Sequence, residues 1–472
     1  MKKIASFLLM ICTVFLLQSC DEEIIPIVTP LPNNNIESFE RLFDDTKVKT
    51  IHIKISLDKW EELDQAMINY YNQFGHYRTD YMVEADLEYT DDKGKVEVDR
   101  IGFRTRGNLS RGRIQNDQGI PQVQNFKVSF HEDYNPEYTK RTVFELEEID
   151  LKSNRNSDST YLTEKYSLDL FSSFGVYAAQ TTLAKFKVSI GSNTYDYGVY
   201  TVFEPIDDNF IKRRLPKEET SGNLYKVLWQ DFGPANLGYP VTHMAIGIKN
   251  EAINYRPSYD LKTNKKTEDH TNLYQFIKNI NQLEGDAFYM YIEEHFEVDM
   301  FLRYLAVGVV LGNPDDYRAM GNNYYLYQNS LTNKWVIIPY DYDHGMGQGW
   351  EPFPNWSIGM NIYTWMNLNA QMLNQPNYPH VLVDKLLNKE TYQLTYESYL
   401  KDLVGNENSL FSTKSFLSIY DDQRLLYDDL IDGSMQDFHF GLRKVENYIN
   451  QKRLDIFSQL NYYESFPQQR GY

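Results

Sequence analysis

The spacing of apolar residues changes along the chain, from every second residue in the first half to helical intervals in the second. Residues 51–57, 83–89 and 126–130 alternate apolar and polar side chains, a pattern that predicts half-buried strands. From about Thr271 onward, apolar residues recur at intervals of three and four, which predicts helices. The sequence therefore predicts an α+β protein with a β-rich first half and a mostly helical second half.

One predicted hairpin, with strands at 324–328 and 334–338, is bordered by acids and amides. These side chains stand before the first strand and after the second, and are Asp315, Asp316, Asn322, Asn323, Asp341 and Asp343. A hairpin can bring both groups to one end, and oxygen ligands that converge there suit a hard cation such as Mg²⁺. Asp and Asn are also ordinary turn residues, so on spacing alone a hairpin with polar ends remains an equal alternative.

Composition limits the classes of function. The 472 residues are 42% hydrophobic, enough for a large core and one to three domains. Acidic residues outnumber basic ones by 66 to 47, which argues against nucleic acid as a partner. The nine histidines form no His-Glu-x-x-His motif and both cysteines lie in the first twenty residues, which disfavours a zinc site. Nothing in the sequence selects a glycosidase acid pair.

The first twenty residues have the pattern of an export signal. Two lysines precede an apolar run at residues 4–17, which is too short for a transmembrane helix and typical of a secretory signal. The end of the segment, Leu-Gln-Ser-Cys, resembles a bacterial lipoprotein cleavage box, so Cys20 is predicted to carry the lipid. The acids at 21–23 resemble the surface-export signal of Bacteroidetes lipoproteins. We therefore expect a membrane-anchored protein at the bacterial outer membrane or cell surface, with residues 21–45 as a tether.

Three further features in the β-rich half fit phosphate chemistry. A basic loop, RTRGNLSR at residues 104–111, can hold phosphate through side chains and backbone N–H groups. Lys127 lies at mid-strand, and Glu164 lies on a predicted helix away from its apolar side. A helix glutamate paired with a strand lysine orients that lysine toward a phosphate in kinases. A solvated turn and a lysine on a solvent-facing strand surface are the ordinary alternatives.

Several segments, in this order, resemble the spore coat protein H (CotH) kinase family. They are RTRGNLSR, NFKVSF, SDSTYLTEKYSLDLFSSFGV, YGVYTVFEPIDDNFIKRR, GNLYK, GNPDDY…NNYYLY and KWVIIPYDYDHGMG. The resemblance extends over roughly residues 51–460. It implies an atypical protein-kinase-like fold, with a nucleotide-binding lobe at 46–230 and a helical lobe at 231–465 that carries the hairpin. It also implies phosphate transfer from Mg²⁺-bound ATP to a protein or another hydroxyl acceptor.

The resemblance also implies residue roles. Lys127 would contact the nucleotide phosphates and Glu164 would hold it, while Arg106 and the loop at 107–111 would cover the phosphates. Glu204 and Lys226 would lie beside the nucleotide. The acid next to the acceptor hydroxyl would be Asp315, with Asp316 as the rival candidate. The metal ligands would be Asn323 and Asp341, supported by Asp343, with Asn322 as the rival amide.

The sequence departs from ordinary protein kinases in two motifs. The G-x-G-x-x-G loop and the H-R-D-L-x-x-x-N signature are both absent. Because an exported protein meets little ATP, a catalytically silent, kinase-like surface lipoprotein that binds a protein or glycan is the alternative. The segment Trp350–Trp365 has three tryptophans, which could stack on a glycan or pack over the helical half.

Overall fold

The structure is a computed structural model. It describes residues 35–471, apart from residues 109, 132–133, 135–139, 155–157, 351–354, 365–379 and 432–437. The predicted signal segment, the lipid site at Cys20 and residues 21–34 of the predicted tether lie outside the described residues. None of the described helices combines the length and apolar character needed to cross a membrane.

The described chain contains both strands and helices in the predicted order, which confirms the α+β class. The strands are β1 Asn35–Ile36, β2 Thr50–Ile55, β3 Val83–Asp91, β4 Gly94–Arg106, β5 Asn125–Ser129, β6 Thr142–Val143, β7 Glu148–Ser153, β8 Thr181–Ile190, β9 Asn193–Phe203, β10 Leu224–Val227, β11 Ile246–Gly247, β12 Tyr259–Leu261, β13 Tyr324–Gln328 and β14 Trp335–Pro339. The helices are α1 Phe39–Phe43, α2 Leu57–Phe74, α3 Thr163–Ser173, α4 Asp208–Arg214, α5 Thr271–Gln282, α6 Gly285–His295, α7 Val298–Leu311, α8 Tyr317–Met320, α9 Val381–Leu386, α10 Glu390–Val404, α11 Thr413–Ile431 and α12 Phe438–Ser465.

Seven strands close into a barrel in the order β2-β3-β4-β5-β7-β9-β8. Its pairs are antiparallel except for β2 with β8, which run parallel. Alternate residues such as Ile53, Phe103, Phe126 and Val202 are fully buried in its core. Because side chains of a strand alternate between its two faces, the polar residues between these positions lie on the outside of the barrel.

Residues 35–45, predicted as part of the tether, are instead ordered against the barrel. β1 pairs in parallel with β6, and α1 is capped by the Ser38 side chain, which accepts from the Arg41 backbone N–H. Leu42 is fully buried in the barrel cluster. The three prolines that suggested a tether all precede this segment, and the apolar side of α1 is what attaches it.

The hairpin forms as part of a second sheet, with strand order β11-β12-β10-β13-β14. β13 pairs antiparallel with β14 and with β10. β10 precedes the lobe boundary predicted at residue 230, yet it pairs with strands that follow that boundary. The sheet therefore joins residues from both halves of the chain.

Helix α7 is buried along most of its length and ends directly before the acids of the hairpin. Residues 304–311 are all buried, and Gly312 closes the helix with φ +61°. A Cβ at Gly312 would lie 2.0 Å from Ser357 Oγ and 2.3 Å from Tyr448 Oη. Glycine is required here both for the left-handed backbone and for the close packing.

Candidate active site

A lysine on β7, Lys152, lies at the centre of a cluster of carboxylates. Its Nζ is 2.7 Å from Glu164 Oε2 and 3.0 Å from Asp343 Oδ2, and it also contacts Asp341 Oδ1. Glu164 comes from the first turn of α3, and the two aspartates follow β14. Three separate elements therefore converge on one ammonium group.

The alternation of β7 explains why its charged residues share one face. Ile149 and Leu151 are fully buried in the barrel, so Glu148, Asp150 and Lys152 point the other way. In the sheet register, Arg104 on β4 lies opposite Lys127 on β5, and Lys127 lies opposite Asp150 on β7. Charged residues of three neighbouring strands thus form a row across the outside of the barrel.

Lys152 and Glu164 are largely buried, with side-chain exposures of 12% and 11%, whereas Asp341 and Asp343 are 37% and 24% exposed. Burial lowers the pKa of Lys152, but Asp341, Asp343 and Glu164 outweigh it and raise that pKa well above its ordinary value. Burial and the two aspartates raise the pKa of Glu164 despite the attraction of Lys152. The pKa of Asp341 is lowered, because Lys152, Arg106 and Lys226 together outweigh burial. Lys152 is therefore charged and Asp341 ionised at neutral pH.

The same acids have the arrangement of a cation site. One carboxylate oxygen from each of Glu164, Asp341 and Asp343 lies within 4.8 Å of the other two. Hard divalent cations take oxygen ligands of this kind, so the donor set fits Mg²⁺. The Nδ2 atom of the predicted ligand Asn323 donates to Asp315 Oδ2 and to the Asp315 carbonyl, both at 2.9 Å.

The two adjacent acids, Asp315 and Asp316, have different environments. Asp316 caps α8: its Oδ1 accepts from Ala319 N at 2.8 Å, and its Oδ2 accepts from Tyr342 Oη at 3.3 Å. Asp315 instead accepts from the side-chain amides of Asn322 at 2.7 Å and Asn323 at 2.9 Å. Burial, together with the charges of Asp341 and Asp343, raises the pKa of Asp315 to about 8. Asp315 is thus the acid whose environment is coupled to the cation site.

The structure corrects the predicted pairing of Lys127 with Glu164. Lys127 Nζ lies 3.2 Å from Asp150 Oδ1 and contacts Glu148 Oε2, while Glu164 contacts Lys152. The physical reason is the strand order: β7, not β5, carries the lysine that meets α3. Lys152, Asp150 and Glu148 were missed by sequence reasoning, although the alternation of acids and lysine with Ile149 and Leu151 was a usable signal.

Arg106 and Lys226 both lie beside the carboxylate cluster. The hydroxyl of Tyr340, the residue before Asp341, accepts from Arg106 Nη2 at 2.8 Å and from Lys226 Nζ at 3.0 Å. Arg106 Nε is also 3.3 Å from Asp150 Oδ2. Together with Lys127 and Lys152, these residues give the site four cations.

Glu204, predicted to lie beside the nucleotide, is paired with two arginines of the fold. Its carboxylate is bound by Arg213 at 2.7 Å and Arg214 at 2.6 Å, and it accepts from Gln180 N at 2.9 Å. The side chain is fully buried. Both arginines are in the last turn of α4, so Glu204 attaches that helix to the end of β9.

The arginines of the RTRGNLSR segment lie in two different places. Arg106 joins the site, but Arg104 Nη1 lies 3.1 Å from Asp80 Oδ1, and Arg111 binds the Thr79 carbonyl and lies 3.8 Å from the same Asp80 atom. Gly107 has φ +116°, and a Cβ there would lie 3.0 Å from Ser110 Oγ, which explains the glycine. Of these three arginines, only Arg106 therefore lies beside the carboxylate cluster.

A cavity of about 580 Å³ borders the charged row at Glu148. It is lined by residues of the barrel, of α4 and of the loops beside β10 and β12, including His131, Asp207, Lys212, Gly222 and Lys262. Glu148, which lines this cavity, also contacts Lys127.

The tryptophan segment is packed where the structure describes it. Trp356 Nε1 donates to the Gly312 carbonyl at 2.8 Å, and Trp350 and Trp356 pack against the helical core. Trp365 lies outside the described residues. The described part of the segment therefore fits a loop packed over the helical half.

Comparison with known proteins places this site in a family. The family model described as CotH kinase protein matches residues 103–453, well over half of the chain. The inner spore coat protein H of Bacillus subtilis (strain 168) is 29% identical over 226 residues, which is 47% of this chain and 55% of that protein. The matched region thus spans about half the length of this relative.

Among solved structures, the Helicobacter pylori proinflammatory kinase CtkA is similar at 12% identity, with a TM-score of 0.26 over 76% of this chain and 95% of that one. This low score adds nothing to the assignment. The family match confirms the resemblance found in the sequence and covers every residue of the Lys152 cluster. The chain belongs to the CotH kinase family.

Proposed function

We propose that the protein is a phosphotransferase that moves the γ-phosphoryl group of Mg²⁺-bound ATP to a hydroxyl of a protein or another acceptor. The observation that carries the proposal is the convergence of Glu164, Asp341 and Asp343 on Lys152. Phosphoryl transfer depends mainly on positioning and on neutralising charge, and this cluster offers both a held lysine and ligands for a cation. Family membership supports the same reaction class.

Lys152 is the residue that we propose contacts the nucleotide phosphates. Glu164 and the carboxylates keep it charged and in place, so that its Nζ can donate to a phosphate oxygen. Arg106, Lys127 and Lys226 add positive charge along the same face. Four cations beside a triphosphate stabilise negative charge that spreads over the transferring oxygens.

Asp341 and Asp343 are the carboxylates that we propose hold Mg²⁺, with Glu164 next to them. When bound there, the cation would neutralise charge on the phosphate oxygens. Asn323 stays a predicted ligand through its amide oxygen.

Asp315 is the proposed base. Its carboxylate oxygen accepts the proton of the acceptor hydroxyl, the hydroxyl oxygen forms the new bond to the γ-phosphorus, and the bond to the bridging β-phosphate oxygen breaks to release ADP. Asn322 and Asn323 fix the orientation of the carboxylate. Its pKa of about 8 lies close to neutral pH, which is where a general base is effective.

The cavity at Glu148 is the space that we propose for the nucleoside. It adjoins Lys127 through Glu148, and its carboxylates and carbonyl-bearing loops can accept hydrogen bonds from ribose hydroxyls and from an exocyclic amine. We further propose, from the sequence pattern alone, that the protein acts at the bacterial outer membrane or cell surface through a lipid on Cys20. The acceptor would then be an exported protein or glycan.

Binding of Mg-ATP, measured by isothermal titration calorimetry, tests the proposal. We expect the wild-type chain to bind, and Lys152→Met and Asp341→Asn to weaken binding at least tenfold, the range expected when a charge-assisted contact is removed. Lys389→Met is the matched control, because Lys389 contacts Glu293 at 3.1 Å on the helical side. Folded wild-type protein that binds no Mg-ATP would instead support the silent binding module.

A further inference from the structure

A second charged cluster is centred on Asp80, in the segment between α2 and β3. Asp80 contacts Arg104 and Arg111 at 3.1 and 3.8 Å, and it also contacts Lys249. These cations come from three places: strand β4, the loop after it, and the loop between β11 and β12. Asp80 thus has three cationic neighbours.

Two more arginines and one more acid complete the cluster. Arg256 Nη2 donates to the Arg78 carbonyl at 2.5 Å and lies 3.8 Å from Glu251 Oε1. Glu251 Oε2 accepts from Asp80 N at 2.7 Å. Five cations (Arg78, Arg104, Arg111, Lys249 and Arg256) therefore surround two carboxylates.

The surplus positive charge is more buried than the acids are. Side-chain exposure is 5% for Arg111 and 12% for Arg104, against 29% for Asp80. Burial, and next the charge of Arg104, lower the pKa of Arg111 to about 9. Cations crowded together away from water are costly unless an anion compensates them.

Part of the donor capacity in this cluster is unused. Among the residues that the structure describes, the buried Nε atoms of Arg78, Arg104 and Arg111 have no hydrogen-bond partner. Other atoms of these side chains are engaged, as when Arg78 Nη1 donates to Asn108 Oδ1 at 2.7 Å. Guanidinium groups bind phosphate and carboxylate oxygens through paired N–H groups, so three donors are available for an anion.

The cluster adjoins the active site without sharing its central lysine. Arg104 and Arg106 are two residues apart on β4 and therefore lie on one face, with Arg106 at the active site and Arg104 at Asp80. Arg104 is also opposite Lys127 in the register. A molecule that extends from the active site along the charged row would reach Asp80.

We propose that the Asp80 cluster binds a phosphate-type dianion, carried either by the nucleotide or by an acceptor that is already phosphorylated. A dianion would offset most of the excess of five cations over two carboxylates and would give the free guanidinium N–H groups acceptors. This goes beyond the proposed transfer reaction, in which Arg78, Lys249 and Arg256 take no part. The cluster would favour acceptors or nucleotides that place a phosphate at Asp80 while their reacting group lies in the active site.

The test is calorimetric titration of the whole chain with inorganic phosphate at low salt, without Mg²⁺ or nucleotide. We expect saturable binding that weakens about tenfold or more in Arg78→Gln, because a charged donor is lost. Asp80→Asn should tighten binding, since it removes the competing carboxylate. The two variants change affinity in opposite directions, so loss of fold in one leaves the other decisive. Arg113→Gln should change nothing, because Arg113 is neutralised by Asp64 at 2.7 Å.

Two further arms locate the phosphate. Lys152→Met should leave phosphate affinity unchanged. If Lys152→Met loses phosphate binding and Arg78→Gln keeps it, the ion binds in the active site and the proposal is overturned. Absence of saturable binding by folded wild-type protein would also overturn it. Competition by ADP would identify the nucleotide as the source of the phosphate, and binding to ADP-saturated protein would identify a phosphorylated acceptor. All of these experiments measure phosphate binding and none requires catalysis. A failure of the proposed kinase activity can therefore be distinguished from a failure of phosphate binding at the Asp80 cluster.

Discussion

Glu164 is 2.7 Å from Lys152, and Lys127 instead contacts Glu148 and Asp150. This difference assigns the two lysines distinct positions relative to the cation site. Lys152 contacts Asp341 and Asp343 directly, whereas Lys127 lies one strand away on β5.

The first prediction concerns these two lysines. We expect Lys152→Met to lower kcat/KM for ATP by about 100-fold or more, in the range found when a single charge-stabilising donor is removed from an active site. Lys127→Met should lower kcat/KM for ATP by about tenfold, since it removes charge but no contact with Asp341 or Asp343. A transfer assay with both variants measures the difference. An equal loss in both would contradict the assignment of Lys152.

The second prediction separates Asp315 from Asp316. Asp315→Asn should abolish transfer, while Mg-ATP affinity stays close to that of the wild type and thermal stability does not fall. Asp316→Asn should lower the free energy of unfolding by about 1 kcal/mol, because Asp316 caps α8 and meets Tyr342. Urea unfolding together with the transfer assay distinguishes the two. Full activity in Asp315→Asn would remove this residue from the proposed mechanism.

The third prediction concerns pH. Because the pKa of Asp315 is raised to about 8, kcat/KM should rise with pH up to about 8 and level off above it. The free energy of unfolding should instead fall as pH rises. The folded state holds a proton on Asp315 that the unfolded chain releases near its ordinary pKa of 3.8, so this stabilisation is complete below that value and is lost as pH rises through about 8.

Unfolding free energies of wild type and Asp315→Asn at several pH values measure this contribution. The wild type should lose stability relative to the variant between about pH 4 and 8. Parallel curves for the two proteins over that range would show that Asp315 keeps an ordinary pKa.

The fourth prediction concerns the end of α7. Gly312→Ala should destabilise the protein by more than about 1 kcal/mol, because the backbone is left-handed and the new methyl meets Ser357 and Tyr448. Gly359→Ala is the matched control: its φ is +81°, but a Cβ there has no atom within 4 Å. Chemical denaturation compares them. Similar losses in both would show that backbone conformation, rather than packing, sets the cost.

The fifth prediction concerns Glu204. Glu204→Gln should destabilise the protein by about 3 kcal/mol, because it leaves Arg213 and Arg214 facing a neutral group in a buried position. Affinity for Mg-ATP should remain unchanged in the folded variant. A selective loss of nucleotide affinity without loss of stability would restore the role beside the base that the sequence suggested.

Much of the candidate site was visible in the sequence because it is local. The hairpin, its bordering acids and the basic loop each lie within short segments, where alternation and turn residues are informative. The choice between Lys127 and Lys152 was not local. Both lie within strands of the barrel, and only the barrel order, in which β7 separates β5 from β9, decides which lysine meets α3.

The roles of Asp316 and Glu204 could likewise not be decided from the local sequence. Asp315 and Asp316 follow the same apolar helix, and which of them caps depends on where the short helix α8 begins. Glu204 directly follows β9, but its partners, Arg213 and Arg214, could be recognised only once α4 was placed against it. In each case a long-range or geometric choice decided the role of a residue whose chemistry was already apparent.

Lys152 and Asp341 are separated by 189 residues in sequence, which has a consequence for folding. The barrel ends at Phe203, so we expect its strands to pair before the hairpin docks, because closing the longer loop to Asp341 costs more chain entropy. A chain folded only that far holds Lys152 beside Glu164 but lacks both aspartates. The proposed phosphoryl transfer would then begin only in molecules that have completed folding.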